Sequence, residues 1–241
     1  MKRVKVMGIV NVTPDSFSDG GKFNTPEEAV RRARNLLADG ADIIDIGGES
    51  TRPGATPVSW EEEWSRIEPV IEKLADGPLI SIDTYHPETA ERAIAAGAGM
   101  INCVKLESAD AMLRLAEAHP GIELVLPAKI LTTLSSALAS RSGCKKRIYL
   151  DPMIGFDTTR EEDLALLRSI PELAKQGRVL VGASRKRIVK KLIGVKTAGK
   201  DIAGNLAIAL WAAMNGADAV RVHDVRETVQ ALHVLEALSD A

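Results

Sequence analysis

Short apolar runs alternate along the chain with longer amphipathic segments. The first run, VKVMGIV at residues 4–10, is followed by PEEAVRRARNLLADG, in which apolar positions recur with helical spacing. Thr25 is a suitable N-cap for this segment, Pro26 occupies its first helical position, and Gly40 marks its end. The pattern therefore predicts a strand followed by a helix.

The same alternation continues to the end of the chain. Strands are predicted at residues 4–10, 42–47, 78–83, 99–104, 122–126, 147–151, 178–184 and 218–222. A helical segment follows each strand, and the one near 130–141 is short. Apolar strands separated by helices are typical of a parallel sheet covered on both faces. Eight such units in 241 residues favour a single-domain (β/α)8 TIM barrel over residues 1–241 rather than a doubly wound open sheet.

Composition excludes several classes of protein. Hydrophobic residues make up 45% of the chain and charged residues 27%, values typical of a globular protein with a full core. The net charge of −2 offers no basic surface for nucleic acid or for an anionic membrane. No segment is long enough to span a bilayer, and the N-terminus lacks the features of a signal peptide, so we expect a cytoplasmic protein. Cys103 and Cys144 have neither CxxC nor zinc-ligand spacing, which favours free thiols.

Polar residues gather where the predicted strands end. They occur at seven of the eight C-terminal ends, namely Asn11, Glu49–Arg52, Asp83, Asn102, Asp151, Ser184–Lys186 and Arg221–Asp224. In a parallel barrel these ends meet at one mouth, which is where barrel enzymes have their active sites. Capping alone would rarely place polar groups at so many ends, so a functional site at this mouth is the better interpretation.

These polar residues form two chemical groups. The first suits an anion with several oxygens, such as a diphosphate, with or without a metal ion, and comprises Asn11, Thr51, Arg52, Lys186, Arg221 and His223. Asp83, Asn102 and Asp151 offer acceptors and an amide that suit the donor edge of a heterocycle such as an aminopyrimidinone. Phe156 could pack on a flat ring, although a single aromatic residue is more often part of a core. The alternative is structural, with Asp83 and Asp151 capping turns and Arg221 in an ion pair.

Six segments of the chain resemble the dihydropteroate synthase family and occur in that family's order. They are MGIVNVTPDSFSDGG (7–21), GGESTRPGA (47–55), SIDT (81–84), DPMIGF (151–156), GASRKR (182–187) and RVHDV (221–225). The first two are long and specific, whereas SIDT or DPMIGF alone would be weak. The resemblance covers nearly the whole chain.

The resemblance implies a pterin-binding barrel enzyme of folate biosynthesis. Such enzymes condense 6-hydroxymethyl-7,8-dihydropterin diphosphate with 4-aminobenzoate, giving 7,8-dihydropteroate and pyrophosphate. Matched by position, the pterin would be held by Asp83, Asn102, Asp151, Phe156 and Lys186, and the diphosphate by Asn11, Thr51, Arg52, Arg221 and His223. The family's catalytic roles would fall on Asp83, Lys186 and Arg221, and Asn11 would also bind the cofactor Mg²⁺.

Two segments, at about 12–23 and 50–56, resemble the family's mobile loops, which close over the diphosphate and shape the aminobenzoate site. That site would comprise Phe17, Thr51, Arg52, Pro53 and Arg187. The family resemblance, together with the apolar segment NLAIALWAAMNG at 205–216, also predicts a homodimer formed through the later helices.

Several positions depart from the family pattern, and all concern strands four to six. Cys103 stands where the family usually has aspartate, Pro127 lies in LPAKI where it has a Met-His-Met type segment, and Met153 replaces a glycine. Asp157 follows Phe156 where the family usually has Gly-Lys or Ala-Lys, and the region between strands five and six is shorter than expected. These changes concern one wall and the floor of the pterin pocket.

Three functions are compatible with this pattern. An active dihydropteroate synthase is favoured. A pterin-dependent methyltransferase of the sister families is disfavoured, because such a protein would not need TPDSFSDGG or STRPGA. A pterin-binding homologue with weak or no synthase activity fits the altered floor, but Lys186, Arg221 and His223 argue against it, because a mere binder has no reason to keep a diphosphate site.

Overall fold

The computed structural model describes residues 2–13, 25–50, 56–74, 77–140, 142–195, 197 and 200–239. Eight parallel strands form one closed barrel in the order of the chain. They are β1 (Lys5–Asn11), β2 (Ile43–Gly47), β3 (Leu79–Asp83), β4 (Met100–Asn102), β5 (Glu123–Pro127), β6 (Ile148–Asp151), β7 (Arg178–Val181) and β8 (Ala219–Val222). The predicted (β/α)8 barrel is therefore confirmed, although β7 ends at Val181 and not at Ser184 as predicted.

Helices cover the outside of the barrel. They are α1 (Pro26–Ala38), α2 (Trp60–Glu72), α3 (Pro87–Ala95), α4 (Ala109–Ala118), α5 (Ile130–Thr133), α6 (Ser135–Ser140), α7 (Arg160–Arg168), α8 (Ile170–Ala174), α9 (Arg187–Ile193), α10 (Ile202–Met214) and α11 (Val225–Ser239). Short 3₁₀ turns occupy Leu106–Ser108 and Ser142–Arg147. None of the helices in the described ranges is long and apolar enough to cross a membrane.

Helix boundaries follow local chemistry. Thr25 caps α1 by accepting a hydrogen bond from the backbone N–H of Glu28, with Pro26 at the first helical position as predicted. The helical segment that was predicted after the sixth strand is divided into two helices, α7 and α8. The second begins just before Pro171, whose ring excludes the preceding turn and whose nitrogen cannot donate. Sequence reasoning also missed α9.

One apolar residue from each strand fills the middle of the barrel. These residues are Met7, Ile43, Leu79, Met100, Val125, Tyr149, Leu180 and Ala219, which pack together in one cluster separate from the larger core outside the strands. Side chains that meet from eight different strands of a closed barrel must point into its interior. They therefore establish which residues of every strand face inward.

The N-terminal end of the barrel is closed by paired charges. Arg178 donates hydrogen bonds to Glu123 and to the hydroxyl of Tyr149, and the amine of Lys5 lies 3.8 Å from a carboxylate oxygen of Glu123. Each of these charges has a partner, so this end contributes stability. A reactive site is to be sought at the opposite, C-terminal mouth.

The region between β5 and β6 is short, as predicted. It contains only α5, α6 and a 3₁₀ turn. A cavity of about 320 Å³ opens beside these short helices. It is lined by Leu131, Ser135, Leu138, Ala139, Lys145, Ile148, Leu150, Gln176 and Gly177. The shortened segment thus leaves part of the outer barrel wall uncovered.

Candidate active site

Along each strand, every second side chain faces the barrel interior, from the apolar layer to the C-terminal mouth. Counting in steps of two from that layer, the same face carries Asn11, Asp45, Asp83, Asn102, Asp151, Arg221 and His223. Six of these seven were predicted from the strand ends, and Asp45 was not. The alternation of side chains therefore explains why polar residues from distant parts of the sequence share one space.

Arg221 lies between two carboxylates. Its Nε donates to Asp45 Oδ2 at 2.6 Å, and its Nη2 donates to Asp83 Oδ2 at 2.6 Å. Arg221 belongs to β8 and Asp83 to β3, and these strands are not neighbours in the barrel, so the ion pair crosses the interior. Arg221 and Asp83 are therefore in direct contact at the mouth, and the ion pair that was the structural alternative for Arg221 is present.

Asp45 also contacts Asn102. The amide Nδ2 of Asn102 donates to Asp45 Oδ2 at 3.2 Å, and Asp45 is completely buried. Sequence reasoning missed Asp45 because the run DIIDIG was interpreted as a continuous apolar strand and only residues beyond strand ends were considered. A signal was present, since an aspartate two positions from the inward-facing Ile43 must face the interior.

Four buried oxygens on this inward face have no hydrogen-bond partner among the described residues. They are Oδ1 of Asp45, Asp83 and Asn102, and Oγ of Ser81, which lies opposite Asp45 in the register of β2 and β3. A buried acceptor without a partner costs free energy, and such groups in native proteins usually await a ligand or water. The mouth therefore presents acceptors to a ligand with N–H or O–H groups.

Lys186 and Asp151 form the opposite side of the candidate site. The amine of Lys186 donates to the carbonyl oxygen of Ile154 at 2.6 Å and lies 4.2 Å from the ring centre of Phe156. Asp151 Oδ1 accepts from the backbone N–H of Met153 at 2.7 Å, so Asp151 does cap the following turn. Phe156 contacts this lysine, so its ring adjoins the site.

Burial shifts the pKa values of these groups. It raises the pKa of Asp83 to about 7, with the neighbouring carboxylate of Asp45 adding to the rise and Arg221 opposing it. Burial also lowers the pKa of Lys186 to about 8, against the pull of Asp151. The pKa of Asp151 is raised, again mainly by burial. For Arg221, burial lowers the pKa, but Asp45 and Asp83 outweigh it, so the guanidinium stays charged.

The loop after β6 is held by a buried acid that sequence reasoning did not identify. Asp163, on α7, accepts hydrogen bonds from the backbone N–H of Gly155 at 2.7 Å and from the hydroxyl of Thr158 at 2.6 Å. Met153 has a φ of 65° and Asp157 a φ of 51°, both in the left-handed region. Two of the departures from the family pattern therefore lie in unusual backbone conformations beside the site.

The ends of β7 and β8 are joined by side-chain contacts. Ser184 Oγ lies 3.2 Å from His223 Nδ1 and accepts from the His223 backbone N–H. Arg185 Nη2 donates to Asp224 at 2.8 Å, and Asn205 Nδ2 donates to the same carboxylate at 3.3 Å. His223 is therefore fixed beside Arg221 at the mouth.

Small residues keep the mouth open. A side chain at Gly47 would meet Asp83 Cβ at 3.5 Å and Asn11 Oδ1 at 3.8 Å, so anything larger than a methyl group would fill the space between them. At Gly182 an added Cβ would lie 3.7 Å from Arg221 Cβ. These two glycines leave room for a ligand above the buried polar groups.

The remaining predicted residues belong to the loops. Phe17, Thr51, Arg52 and Pro53 lie outside the described residues. Arg187 is exposed and donates to the carbonyl oxygen of Thr158 at 3.1 Å. This contact links the start of α9 to the loop that carries Phe156.

Comparisons with known proteins agree on one family. A family model described as pterin binding enzyme matches residues 7–129 and 123–223. Dihydropteroate synthase from Staphylococcus haemolyticus is 39% identical over 259 aligned residues, which cover 100% of this chain and 97% of the relative. This alignment is longer than the 241 residues of the chain because the relative has residues that this chain lacks.

Solved structures give the same result. Xanthomonas albilineans dihydropteroate synthase with 4-aminobenzoic acid superposes with a TM-score of 0.87 at 42% identity, covering 98% of this chain and 94% of that one. The Xanthomonas albilineans enzyme in complex with 7,8-dihydropteroate superposes with a TM-score of 0.84 at 38% identity, covering 99% of this chain and 95% of that one. The chain therefore belongs to the pterin binding enzyme family and, within it, to the dihydropteroate synthases.

Proposed function

We propose that this protein condenses 6-hydroxymethyl-7,8-dihydropterin diphosphate with 4-aminobenzoate, giving 7,8-dihydropteroate and pyrophosphate in folate biosynthesis. The observation that carries the proposal is the pair of unsatisfied buried acceptors, Asp83 Oδ1 and Asn102 Oδ1, beside Arg221 at the barrel mouth. A reduced pterin has N–H donors along one edge that match such acceptors. The Xanthomonas albilineans structures with 4-aminobenzoic acid and with 7,8-dihydropteroate support the same reactant and product.

The pterin would lie across the barrel mouth, with Asp83 and Asn102 on one side and Asp151 and Lys186 on the other. Carboxylate and amide oxygens accept from the ring N–H groups, and the amine of Lys186 donates to a ring acceptor. Phe156, packed against Lys186, closes this side of the pocket. Such matched polar contacts discriminate strongly against a ring with the opposite donor pattern.

The diphosphate would lie toward β1 and β8. Arg221 commits Nε and Nη2 to carboxylates, which leaves Nη1 for a phosphate oxygen. His223 and Asn11 extend the binding surface, and we place Thr51 and Arg52 in the same role by family resemblance. In this position, the diphosphate oxygen that departs with the leaving group would lie beside the positive charges of Arg221 and Arg52.

The reaction exchanges one bond for another at the pterin methylene carbon. Its C–O bond breaks and the electron pair leaves with pyrophosphate, while the nitrogen lone pair of 4-aminobenzoate forms the new C–N bond and the amine then loses a proton. Positive charge that develops on the ring is stabilised by the carboxylate of Asp83, and negative charge on the leaving group by Arg221. Loop closure by the segments that carry Phe17, Pro53 and Arg52 would exclude water from the reacting carbon.

Mg²⁺ fits one position in this arrangement. The described residues contain no group of three His, Cys, Asp or Glu side chains that could hold a metal by themselves. Magnesium commonly binds one or two protein oxygens together with substrate phosphates, and the amide oxygen of Asn11, which lies next to Gly47, could serve as such a ligand. The ion would offset the charge of the leaving diphosphate.

Three further features belong to the proposal. A homodimer is supported by the exposed apolar side chains on α9, α10 and α11. A cytoplasmic location is supported by Cys103 and Cys144, which are both free thiols and buried. The aminobenzoate site would include Arg187, whose guanidinium lies at the edge of the loop that carries Phe156.

A turnover assay tests the proposed function. The purified protein, supplied with the pterin diphosphate, 4-aminobenzoate and Mg²⁺, is expected to release one pyrophosphate for each dihydropteroate formed. Omission of 4-aminobenzoate is the control for simple hydrolysis. Tight pterin binding without pyrophosphate release would instead support the weak homologue, and transfer of a methyl group from a methylated folate would support the methyltransferase.

A further inference from the structure

We infer that Asp45 is a positioning residue that determines how Arg221 and Asn102 present their polar groups to the substrate. This inference rests on the proposed function of the same site. One oxygen, Oδ2, accepts from Arg221 Nε at 2.6 Å and from Asn102 Nδ2 at 3.2 Å. Asp45 is completely buried, and its Oδ2 is engaged by Arg221 and Asn102, so the effect on a ligand that we propose for Oδ2 runs through these two residues.

The contact with Asn102 determines the orientation of its amide. A carboxylate accepts but cannot donate, so the amide nitrogen of Asn102 must face Asp45. The amide oxygen is then turned away, and it is this atom that has no donor among the residues described. Asp45 thereby makes Asn102 an acceptor toward the substrate, which is the polarity that a pterin edge of N–H groups requires.

The contact with Arg221 determines the direction of the guanidinium. With Nε held by Asp45 and Nη2 held by Asp83, the planar group has one orientation, and Nη1 faces away from both acids. Without Asp45, the guanidinium could rotate and take Asp83 as a bidentate partner. The diphosphate would then lose the Nη1 donor, which the contacts of Arg221 with Asp45 and Asp83 hold in position.

These two contacts explain why a carboxylate is buried at position 45. Taking Asp45 out of water is costly unless the charge is paired, and replacing buried ion pairs with apolar residues is often neutral or stabilising. The other oxygen of Asp45, Oδ1, has no partner in the described part of the chain, so its contribution to stability alone is poor. The contribution of Asp45 therefore lies in the two hydrogen bonds that its Oδ2 accepts from Arg221 and Asn102.

Calorimetry on Asp45 variants tests this inference, with 6-hydroxymethylpterin as the probe for Asn102 and pyrophosphate as the probe for Arg221. Asp45→Ala removes the shared acceptor and should weaken binding of each probe by roughly tenfold. Asp45→Asn keeps an oxygen that can accept from both residues and should restore most of the affinity. A purely structural role would lower the unfolding midpoint of Asp45→Ala without changing the affinity of the folded protein for either probe, and that result would overturn the inference.

A double variant sharpens the test. If Asp45 acts on the pterin through Asn102, then Asp45→Ala combined with Asn102→Ala should bind 6-hydroxymethylpterin with much less loss than the sum of the two single effects. Strictly additive losses would contradict action through Asn102. Failure of the wild-type protein to bind either probe would overturn the proposed function itself, and this inference with it.

An independent measurement on the wild-type protein covers the case in which Asp45→Ala does not fold. The Nε–H of Arg221 should exchange slowly with solvent, because it is bonded to a buried carboxylate. Exchange as fast as that of an exposed arginine would show that Asp45 does not hold Arg221 and would overturn the inference.

Discussion

Asp83 has two oxygens in different situations. Oδ2 accepts from Arg221, whereas Oδ1 is buried with no donor in the described chain. The carboxylate thus holds the guanidinium of Arg221 in place and leaves one acceptor oxygen without a donor. The sequence predicted its importance from its place at a strand end, and the contact with Arg221 required the folded barrel.

Asp83→Asn should lower kcat/KM by roughly 10²–10³-fold, because the amide removes the charge that stabilises the ring cation and places a donor where an acceptor is needed. Steady-state kinetics with both substrates measures this loss. Asp110→Asn, on the exposed face of α4, is the matched control and should leave kcat/KM unchanged. Wild-type turnover by Asp83→Asn would remove Asp83 from the mechanism.

The pH dependence of kcat/KM should be bell-shaped. Asp83 must be ionised, so activity should fall as the pH drops through about 7. Lys186 must be protonated, so activity should fall again as the pH rises through about 8. Lys186→Arg keeps its charge at high pH, and any activity it retains should therefore lack the alkaline limb. A flat wild-type profile from about pH 6 to pH 9 would contradict both assignments.

The loop between β6 and α7 shows at the level of an element how a departure from the family pattern is accommodated. Met153 adopts a left-handed φ of 65°, a conformation that favours glycine, and glycine is what the family usually has there. The loop is held by the contacts of Asp163 with Gly155 and Thr158. The strain at Met153 is thus tolerated because the surrounding hydrogen bonds determine the backbone.

Met153→Gly should be more stable than Met153→Ala by about 1 kcal/mol, because both lose the side chain but only alanine keeps the cost of a Cβ at positive φ. Urea unfolding followed by circular dichroism measures the difference. Equal stabilities of the two variants would show that the positive φ at this position costs nothing.

At the scale of the whole molecule, the large apolar side chains that are exposed in the described part of the chain share one side. Within the described ranges, the exposed large apolar side chains all lie on α9, α10 and α11. They are Leu192, Ile193, Trp211, Met214, Val234 and Leu238. Met214 is 66% exposed and Leu238 73%, which is unfavourable for a monomer in water. This side of the barrel is therefore the surface that we propose for the homodimer.

Met214→Glu should weaken the dimer, because a charge in an apolar interface is desolvated without a partner. Light scattering across a range of protein concentrations measures the mass. Ser136→Glu adds the same charge at an exposed position of α6 and should leave the mass unchanged. A wild-type protein that is monomeric at micromolar concentration would exclude the dimer.

The sequence by itself determined the barrel and most of the candidate site. Eight apolar runs separated by helical segments favoured a closed parallel barrel over a doubly wound open sheet, and this topology brings the strand ends to one mouth. Asn11, Asp83, Asn102, Asp151, Arg221 and His223 were identified on this basis. The strand ends can be located from the local order of residues, without knowledge of contacts between distant parts of the chain.

Only the tertiary structure decided which groups pair. Asp45 looked like part of an apolar strand, and its contacts with Arg221 and Asn102 join β2 to β8 and β4, which are far apart in the chain. Asp163 was likewise not identified from the sequence, and its contacts with Gly155 and Thr158 show that it holds the β6 loop. The pKa values of Asp83 and Lys186 depend on burial and on these neighbours. Partners across a barrel are determined by its closure and register, which no local pattern of residues contains.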